Sequence, residues 1–170
     1  MNAMNTQEVN TLSFISPTYG RMGLEEACRN IFDYMSEDPK ANYSIIIGSD
    51  SEGYGEVDFV TALIVHRIGR GGRCFITRTK VPNIMVLKQK IYQEAALSLT
   101  ITQTVVEQLK QFISEEVLFK GLEIHVDIGH NGPTRDTIKE IVGMIKGSGY
   151  TVKIKPDSFG ASCVADRYTG

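Results

Sequence analysis

The stretch YSIIIGSDS, residues 43–51, carries a run of three isoleucines that leads to an aspartate, Asp50. An unbroken run of β-branched residues is typical of a strand buried on both faces, as in the middle of a sheet. A second apolar run, residues 122–126, is also followed by an aspartate, Asp127. A carboxylate at the tip of a buried strand is costly unless it is paired or bound to a metal, which makes both aspartates candidate site residues. The alternative is a turn aspartate that bonds its own backbone.

Hydrophobic periodicity and turn signals predict the element order α-β-β-β-α-β-α-β-α. Strands joined through helices should run parallel by right-handed crossovers. We therefore expect an α/β fold with a five-stranded mixed sheet, antiparallel through strands 1-2-3, parallel through strands 1-4-5, and flanked by helices. The predicted helices span 24–35, 84–113, 135–146 and 159–168, and the strands span 44–50, 57–68, 73–81, 122–127 and 150–155.

Length and composition fit one globular domain over residues 1–170, with a core at 43–168. Residues 1–40 are expected to be an N-terminal extension with one helix, in which the polar residues 1–11 are frayed. The three cysteines lack disulfide or zinc spacing. No apolar run approaches the roughly 18 residues of a membrane span, and no signal peptide is evident. The sequence thus favours a cytoplasmic protein that does not bind membranes, and it leaves the oligomeric state open.

Basic residues are concentrated in one part of a chain whose net charge is only −2. Residues 59–93 contain seven Lys and Arg and no Asp or Glu. A basic region beside an acidic metal site would suit a phosphate backbone, although arginines can also simply keep an edge strand soluble. The candidate nucleic-acid contacts are Arg67, Arg70, Arg73, Lys88, Lys90 and Arg135, the last at the start of a predicted helix.

Two further carboxylates complete a possible cluster. Glu94 lies in the predicted crossover helix and Asp166 in the predicted final helix. Together with the two strand-tip aspartates they can converge at one edge of the sheet, and clusters of oxygen ligands suit Mg²⁺ or Mn²⁺. Alternatives remain open, because Lys90 at i−4 could pair with Glu94 in solvent and Asp157 competes with Asp166 as the fourth carboxylate.

Four stretches carry a resemblance to a known family: FISPTYG at 14–20, IGSDS at 47–51, VDIGHNGPTR at 126–135 and SFGASCVADR at 158–167. With the element order, they resemble the ribonuclease H-like fold over about 43–168, and more narrowly the YkuK-type family of bacterial ribonuclease H-like proteins. The resemblance implies that Asp50 is the carboxylate that bridges two metal ions and that Glu94, Asp127 and Asp166 are the others. One departure is that Glu94 lies deeper beyond the break at 82–83 than the family pattern usually places it, unless the helix begins near Val86.

Two histidines flank Asp127. His125 shares its face of the strand and is expected to be buried and hydrogen-bonded. His130 follows in a loop and is a weaker catalytic candidate, as a proton shuttle or phosphate contact. Zinc is disfavoured because no third histidine or nearby cysteine completes a site.

The resulting hypothesis is a divalent-metal-dependent nuclease that hydrolyses phosphodiester bonds by a two-metal mechanism. Its partner would be RNA, an RNA–DNA hybrid or branched DNA. Both endonuclease and exonuclease action are open. No aromatic platform for single strands stands out, since the Tyr and Phe residues are scattered. The alternative is a non-catalytic module that binds a nucleotide, an ion or a protein partner.

Overall fold

The computed structural model of the chain describes residues 4–132 and 135–158. The helices in this part are α1 (Thr6–Asn10), α2 (Leu24–Ser36), α3 (Leu87–Leu109), α4 (Glu115–Gly121) and α5 (Ile138–Gly147), and a 3₁₀ turn (Arg135–Thr137) precedes α5. The strands are β1 (Ser13–Ser16), β2 (Gly20–Gly23), β3 (Tyr43–Ser51), β4 (Gly55–Arg67), β5 (Gly72–Ile84), β6 (Leu122–His125) and β7 (Thr151–Lys153).

In the described residues the strands form one mixed sheet in the order β2-β1-β5-β4-β3-β6-β7. β4 is antiparallel to both of its neighbours, β3 and β5, whereas β6 is parallel to both of its neighbours, β3 and β7. The predicted meander and the predicted parallel set are therefore confirmed, and the five expected strands correspond to β3–β7. A helix of about two dozen residues, α3, makes the crossover from β5 to β6.

The prediction of five strands was wrong, because the sheet of the described residues has seven. The additional hairpin β1–β2 lies on the free edge of β5, where Ile15 pairs with Ile76. Thr77 also donates a hydrogen bond from Oγ1 to the Ser13 carbonyl at 2.9 Å. Each added strand has only four residues and no β-branched run, so the sequence signal is weak. The hairpin forms because β5 offers unpaired backbone groups at its edge.

The N-terminal segment also departs from the expectation of a frayed tail with one helix at 1–40. α1 precedes α2 and is closed by a capping box: Asn5 Oδ1 accepts from the Glu8 amide at 3.0 Å, and Glu8 Oε2 accepts from the Asn5 amide at 2.7 Å. Val9 is fully buried in the main core. Burial of this side chain holds α1 against the body of the protein.

The long helix is shorter than predicted at both ends. β5 continues past the expected break to Ile84 through a bulge, in which Pro82 and Asn83 lie opposite Glu56 and Asn83 has a left-handed φ of 64°. α3 then begins at Leu87, and a separate helix, α4, follows it. The predicted final helix at 159–168 lies outside the described residues.

β3 is buried on both faces, as expected for an interior strand of the sheet. Ile45 and Ile47 pack on the side of α2 and α3, and Ile46 packs on the opposite face against β4 and β5. Asp50 is half-buried, at the point where the strand leaves this core. Among the residues that the structure describes, no helix is both long and apolar enough to span a membrane.

The docking of α1 predicts that Val9→Ala lowers the free energy of unfolding by about 2 kcal/mol, because two buried carbons are lost. Urea unfolding measures the change. Val117→Ala is the matched control, since Val117 is 54% exposed and its truncation should change stability by less than about 0.5 kcal/mol. Equal effects of the two substitutions would show that α1 does not contribute to the core.

Candidate active site

Asp50 and Asp127 occupy neighbouring positions at the carboxyl ends of two parallel strands. Gly48 on β3 pairs with His125 on β6, and each aspartate lies two residues further along its strand direction. The side-chain period of two places both on the same face of the sheet. Both are half-buried. The end of each apolar run thus brings one carboxylate to the same edge, as the sequence predicted.

Glu94 reaches this edge from the helix side. It lies seven residues after Leu87, the first residue of α3. Because the helix begins next to Val86, the depth of Glu94 in the helix is closer to the family pattern. The side chain is 8% exposed, and its Oε1 accepts a hydrogen bond from Ser51 Oγ at 2.7 Å. A solvated Glu94 paired with Lys90 is therefore excluded.

The three carboxylates share one electrostatic environment. The pKa of Glu94 is raised to about 8, mainly by burial; the charges of Asp50 and Asp127 contribute to the rise, and the hydrogen bond from Ser51 and the charge of Lys90 oppose it. Mutual repulsion among carboxylates is the condition that a divalent cation relieves. The oxygen-only chemistry of these residues fits Mg²⁺ or Mn²⁺.

The described residues do not by themselves present a complete metal-binding set. Within residues 4–132 and 135–158, no three Asp, Glu, His or Cys side chains are grouped so that they could hold a metal ion. Asp166, the predicted fourth carboxylate, lies outside the described residues. Its competitor Asp157 is exposed just beyond β7, where its amide donates to the Ile154 carbonyl at 2.8 Å.

A lysine already neutralises one aspartate of the cluster. Lys155 Nζ lies 3.1 Å from Asp127 Oδ1. The lysine is held beside Asp127 because its amide donates to the Ile128 carbonyl at 2.9 Å, which extends the pairing of β6 and β7. Lys155 carries no local sequence signal of this role, because its proximity to Asp127 depends on the pairing of β6 with β7.

The two histidines differ in environment. His125 is buried, and its Nε2 lies 2.8 Å from Glu123 Oε2. Burial lowers the pKa of His125 in spite of this carboxylate, which also bonds Lys153 at 3.1 Å. His125 is therefore the buried, hydrogen-bonded residue that the sequence favoured. His130 is exposed in the loop after Asp127, and its catalytic role stays a prediction.

Three of the predicted nucleic-acid contacts lie far from the carboxylates. Arg67 pairs with Tyr43 at the start of β3, seven residues or about 23 Å from Asp50 along the strand. Arg70 and Arg73 lie at this same end of the sheet, in and after the turn between β4 and β5. The expectation of one basic region beside the acidic site was therefore wrong for Arg67, Arg70 and Arg73.

Internal contacts occupy the arginines at this end. Arg67 donates to the Tyr34 carbonyl at 2.8 Å and to Glu37 at 3.0 Å, and its guanidinium lies over the Tyr34 ring at 4.2 Å. Arg70 pairs with Asp38 at 2.8 Å. These contacts tie α2 and the loop after it to the β4–β5 turn, which is a structural role.

Lys88 and Lys90 remain at the carboxylate end. Lys90 precedes Glu94 by one helical turn and is half-buried, and Lys88 is exposed. Arg135 is exposed at the start of the 3₁₀ turn, where its amide donates to the Gly132 carbonyl at 3.3 Å. Contact of these three residues with nucleic acid stays a prediction.

Ser51 is a site residue that strand alternation alone does not indicate, because it faces away from Asp50. The structure agrees on the direction, and that direction is what gives Ser51 its contact with Glu94. Strand alternation already placed Ser51 on the face that a crossover helix would cover. A buried carboxylate on that helix was therefore a foreseeable partner.

The raised pKa of Glu94 predicts how stability depends on pH without divalent metal. Between the ordinary value of 4.5 and about 8, the folded protein holds a proton that the unfolded chain has released. Stability should therefore fall as pH rises through this window, by up to about 1.4 kcal/mol per pH unit. Glu94→Gln should remove this loss. In urea unfolding with chelator, the free energy of unfolding of the variant should therefore increase relative to that of the wild type from about pH 5 to about pH 8.

Glu107→Gln, an exposed substitution on the same helix, should differ from the wild type by a constant amount across this range. If Glu94→Gln behaved in the same way as Glu107→Gln, Glu94 would not be the buried protonated carboxyl.

Comparison with known proteins agrees with this architecture. The protein-family model for ribonuclease H-like proteins matches residues 26–170. The chain is also 33% identical over 165 residues to a protein of Bacillus subtilis (strain 168) named "Uncharacterized protein YkuK", with 92% of this chain and 96% of that protein covered. No solved structure matches significantly. The family match begins within α2, so α1 and the β1–β2 hairpin precede it. The chain belongs to the ribonuclease H-like family, as its sequence motifs indicated.

Proposed function

We propose that this protein is a divalent-metal-dependent nuclease that hydrolyses phosphodiester bonds. The observation that carries the proposal is the burial of Glu94 beside Asp50 and Asp127, at the carboxyl ends of parallel strands. A strongly perturbed carboxyl among like charges is typical of a functional site, because repulsion and desolvation both oppose folding there. Membership of the ribonuclease H-like family supports a function that involves nucleic acid.

Mg²⁺ or Mn²⁺ would be held by carboxylates from Asp50, Glu94 and Asp127 together with Asp166, which is needed because the described residues alone do not form a metal-binding group. When bound, such ions supply an activated water and stabilise negative charge on the phosphate and the leaving oxygen. Ser51 fixes one oxygen of Glu94 through its 2.7 Å hydrogen bond, which leaves Oε2 as the oxygen available to a cation. Lys88, Lys90 and Arg135 would bind phosphates of the nucleic acid, and His130 would transfer a proton.

A non-catalytic role is favoured by one observation. Lys155 supplies a positive charge to Asp127, so the acidic edge is partly neutralised by the chain itself. A protein with this arrangement could bind a nucleotide, an ion or a protein partner at that edge without cleaving a phosphodiester. The two functions differ in whether the protein cleaves phosphodiester bonds at all.

The nuclease proposal predicts metal-dependent cleavage that Asp50→Asn lowers by roughly a hundredfold or more, because one metal ligand is weakened. Labelled single-stranded RNA, RNA–DNA hybrid and branched DNA are incubated with Mn²⁺, Mg²⁺ or Ca²⁺. We expect Ca²⁺ to support binding but little turnover. Asp33→Asn, an exposed aspartate on α2, is the control and should cleave at the wild-type rate.

Cleavage by Asp50→Asn at the wild-type rate would mean that the proposed site is not the catalytic one. Folded wild-type protein that cleaves no substrate with any of the metals would overturn the nuclease proposal and leave the binding module.

The ion pair at Asp127 predicts a second metal effect. A cation at Asp127 must compete with the Lys155 ammonium, so Lys155→Met should lower the Mn²⁺ concentration needed for half-maximal binding by about threefold to tenfold. Isothermal titration calorimetry measures this directly. Lys153→Met is the matched control, because Lys153 pairs with Glu123 instead. Identical Mn²⁺ affinities of the two variants would show that Lys155 does not compete for the site.

A further inference from the structure

Tyr54 is held out into solvent beside the carboxylates. It lies in the turn between β3 and β4, four residues after Asp50, and is 55% exposed. Gly53 and Gly55 on either side have left-handed φ values of 77° and 92°, a conformation that other residues rarely adopt. The backbone at this turn is therefore specialised, and it presents a large aromatic ring to solvent.

The ring is linked to the candidate active site by a cation. Lys90 Nζ lies 4.6 Å from the centre of the Tyr54 ring, a cation–π contact that orients both side chains. Lys90 also lies one turn before Glu94 on α3 and interacts electrostatically with it. Lys90 therefore links Tyr54 to the carboxylate cluster, and one face of the Tyr54 ring is covered by a positive charge.

Further apolar surface borders the tyrosine. Ile84 pairs with Gly55, so the residues that follow it lie beside this turn. They include Met85 and Val86, which are 67% and 54% exposed, and Lys88 is exposed just beyond them. Within the described residues, neither Lys88 nor Lys90 forms an ion pair with a carboxylate at salt-bridge distance. Lys88 lies over the Tyr92 ring at 5.8 Å, so both lysines contact aromatic rings rather than carboxylates. The Tyr54 ring, its apolar neighbours and these two cations form one patch, defined here as the Tyr54 patch.

We propose that the Tyr54 patch binds single-stranded nucleic acid, with a base stacked on the open face of the Tyr54 ring. Lys88 and Lys90 bind the adjoining phosphates, and the strand continues to the carboxylates. As a statement about substrate, the inference rests on the proposed nuclease function. In a duplex the bases are stacked on one another and their faces are not available, so an aromatic platform selects single strands.

The test measures binding in chelator, where no cleavage occurs. Fluorescence anisotropy is recorded with labelled single-stranded RNA and DNA of about 12 nucleotides and with matched duplexes. We expect wild type to bind single strands more tightly than duplexes, and Tyr54→Ala to weaken single-strand binding by roughly tenfold. Tyr54→Phe should retain binding because the ring remains, whereas Tyr54→Leu, which keeps apolar area without a ring, should behave like Tyr54→Ala.

Lys40→Ala controls for general loss of positive charge, since Lys40 lies beyond α2, near the opposite end of β3, and should bind like the wild type. Wild-type affinity in Tyr54→Ala, or a preference of the wild type for duplexes, would overturn the proposal. The outcome is separable from that of the nuclease test. Cleavage without any effect of Tyr54 refutes the platform alone, whereas Tyr54-dependent binding without cleavage refutes the nuclease alone.

Discussion

The alignment of α3 on β3 is the constraint on which the candidate site depends. Ser98 donates to Ser49 at 2.9 Å, and Ser51 donates to Glu94 at 2.7 Å. Four residues advance a helix by about 6 Å and two residues advance a strand by about 6.6 Å. The spacing of Glu94 and Ser98 on α3 therefore matches the spacing of Ser51 and Ser49 on β3. The helix runs from Glu94 to Ser98 while the strand runs from Ser51 to Ser49 in reverse, so the two elements are antiparallel. The N-terminal turns of α3 therefore lie at the carboxyl end of β3, where Asp50 is.

This alignment places a buried carboxyl among like charges, a conflict that protonation of Glu94 or a bound cation would relieve. A carboxyl buried to the extent of Glu94 is stable as the neutral acid, and the adjacent charges of Asp50 and Asp127 reinforce that preference. Ser51 and Lys90 oppose it but do not restore the ordinary pKa. Lys155 reduces the repulsion at Asp127. The chain thus tolerates an unfavourable cluster with partial compensation from its own cations, which is a common property of sites that bind ions.

The features that could be predicted from the sequence are those that depend on residues close together in the chain. The apolar runs that end at Asp50 and Asp127, and the periodic helix that carries Glu94, are local signals, and the crossover rule then sets the strand order. The capping box of Asn5 and Glu8 was also readable. The β1–β2 hairpin was not, because it depends on the open edge of β5. The basic segment was misplaced because β4 spans about 40 Å, so residues close in sequence lie at opposite ends of the sheet.

The separation of basic residues between the two ends of the sheet limits how nucleic acid can approach. The arginines at the far end hold α2 in place, as Arg67 does between Tyr34 and Tyr43, and their charge is used within the fold. Near the carboxylates the described cations include Lys88 and Lys90 on the first turn of α3, Lys155 beside Asp127, and the exposed Arg78, which the strand register places level with Asp50. These few cations can neutralise only a few phosphates, so electrostatic attraction alone gives weak and local binding. Stacking on Tyr54 would add an interaction that does not depend on phosphate charge, and it would set the position of a strand relative to Asp50.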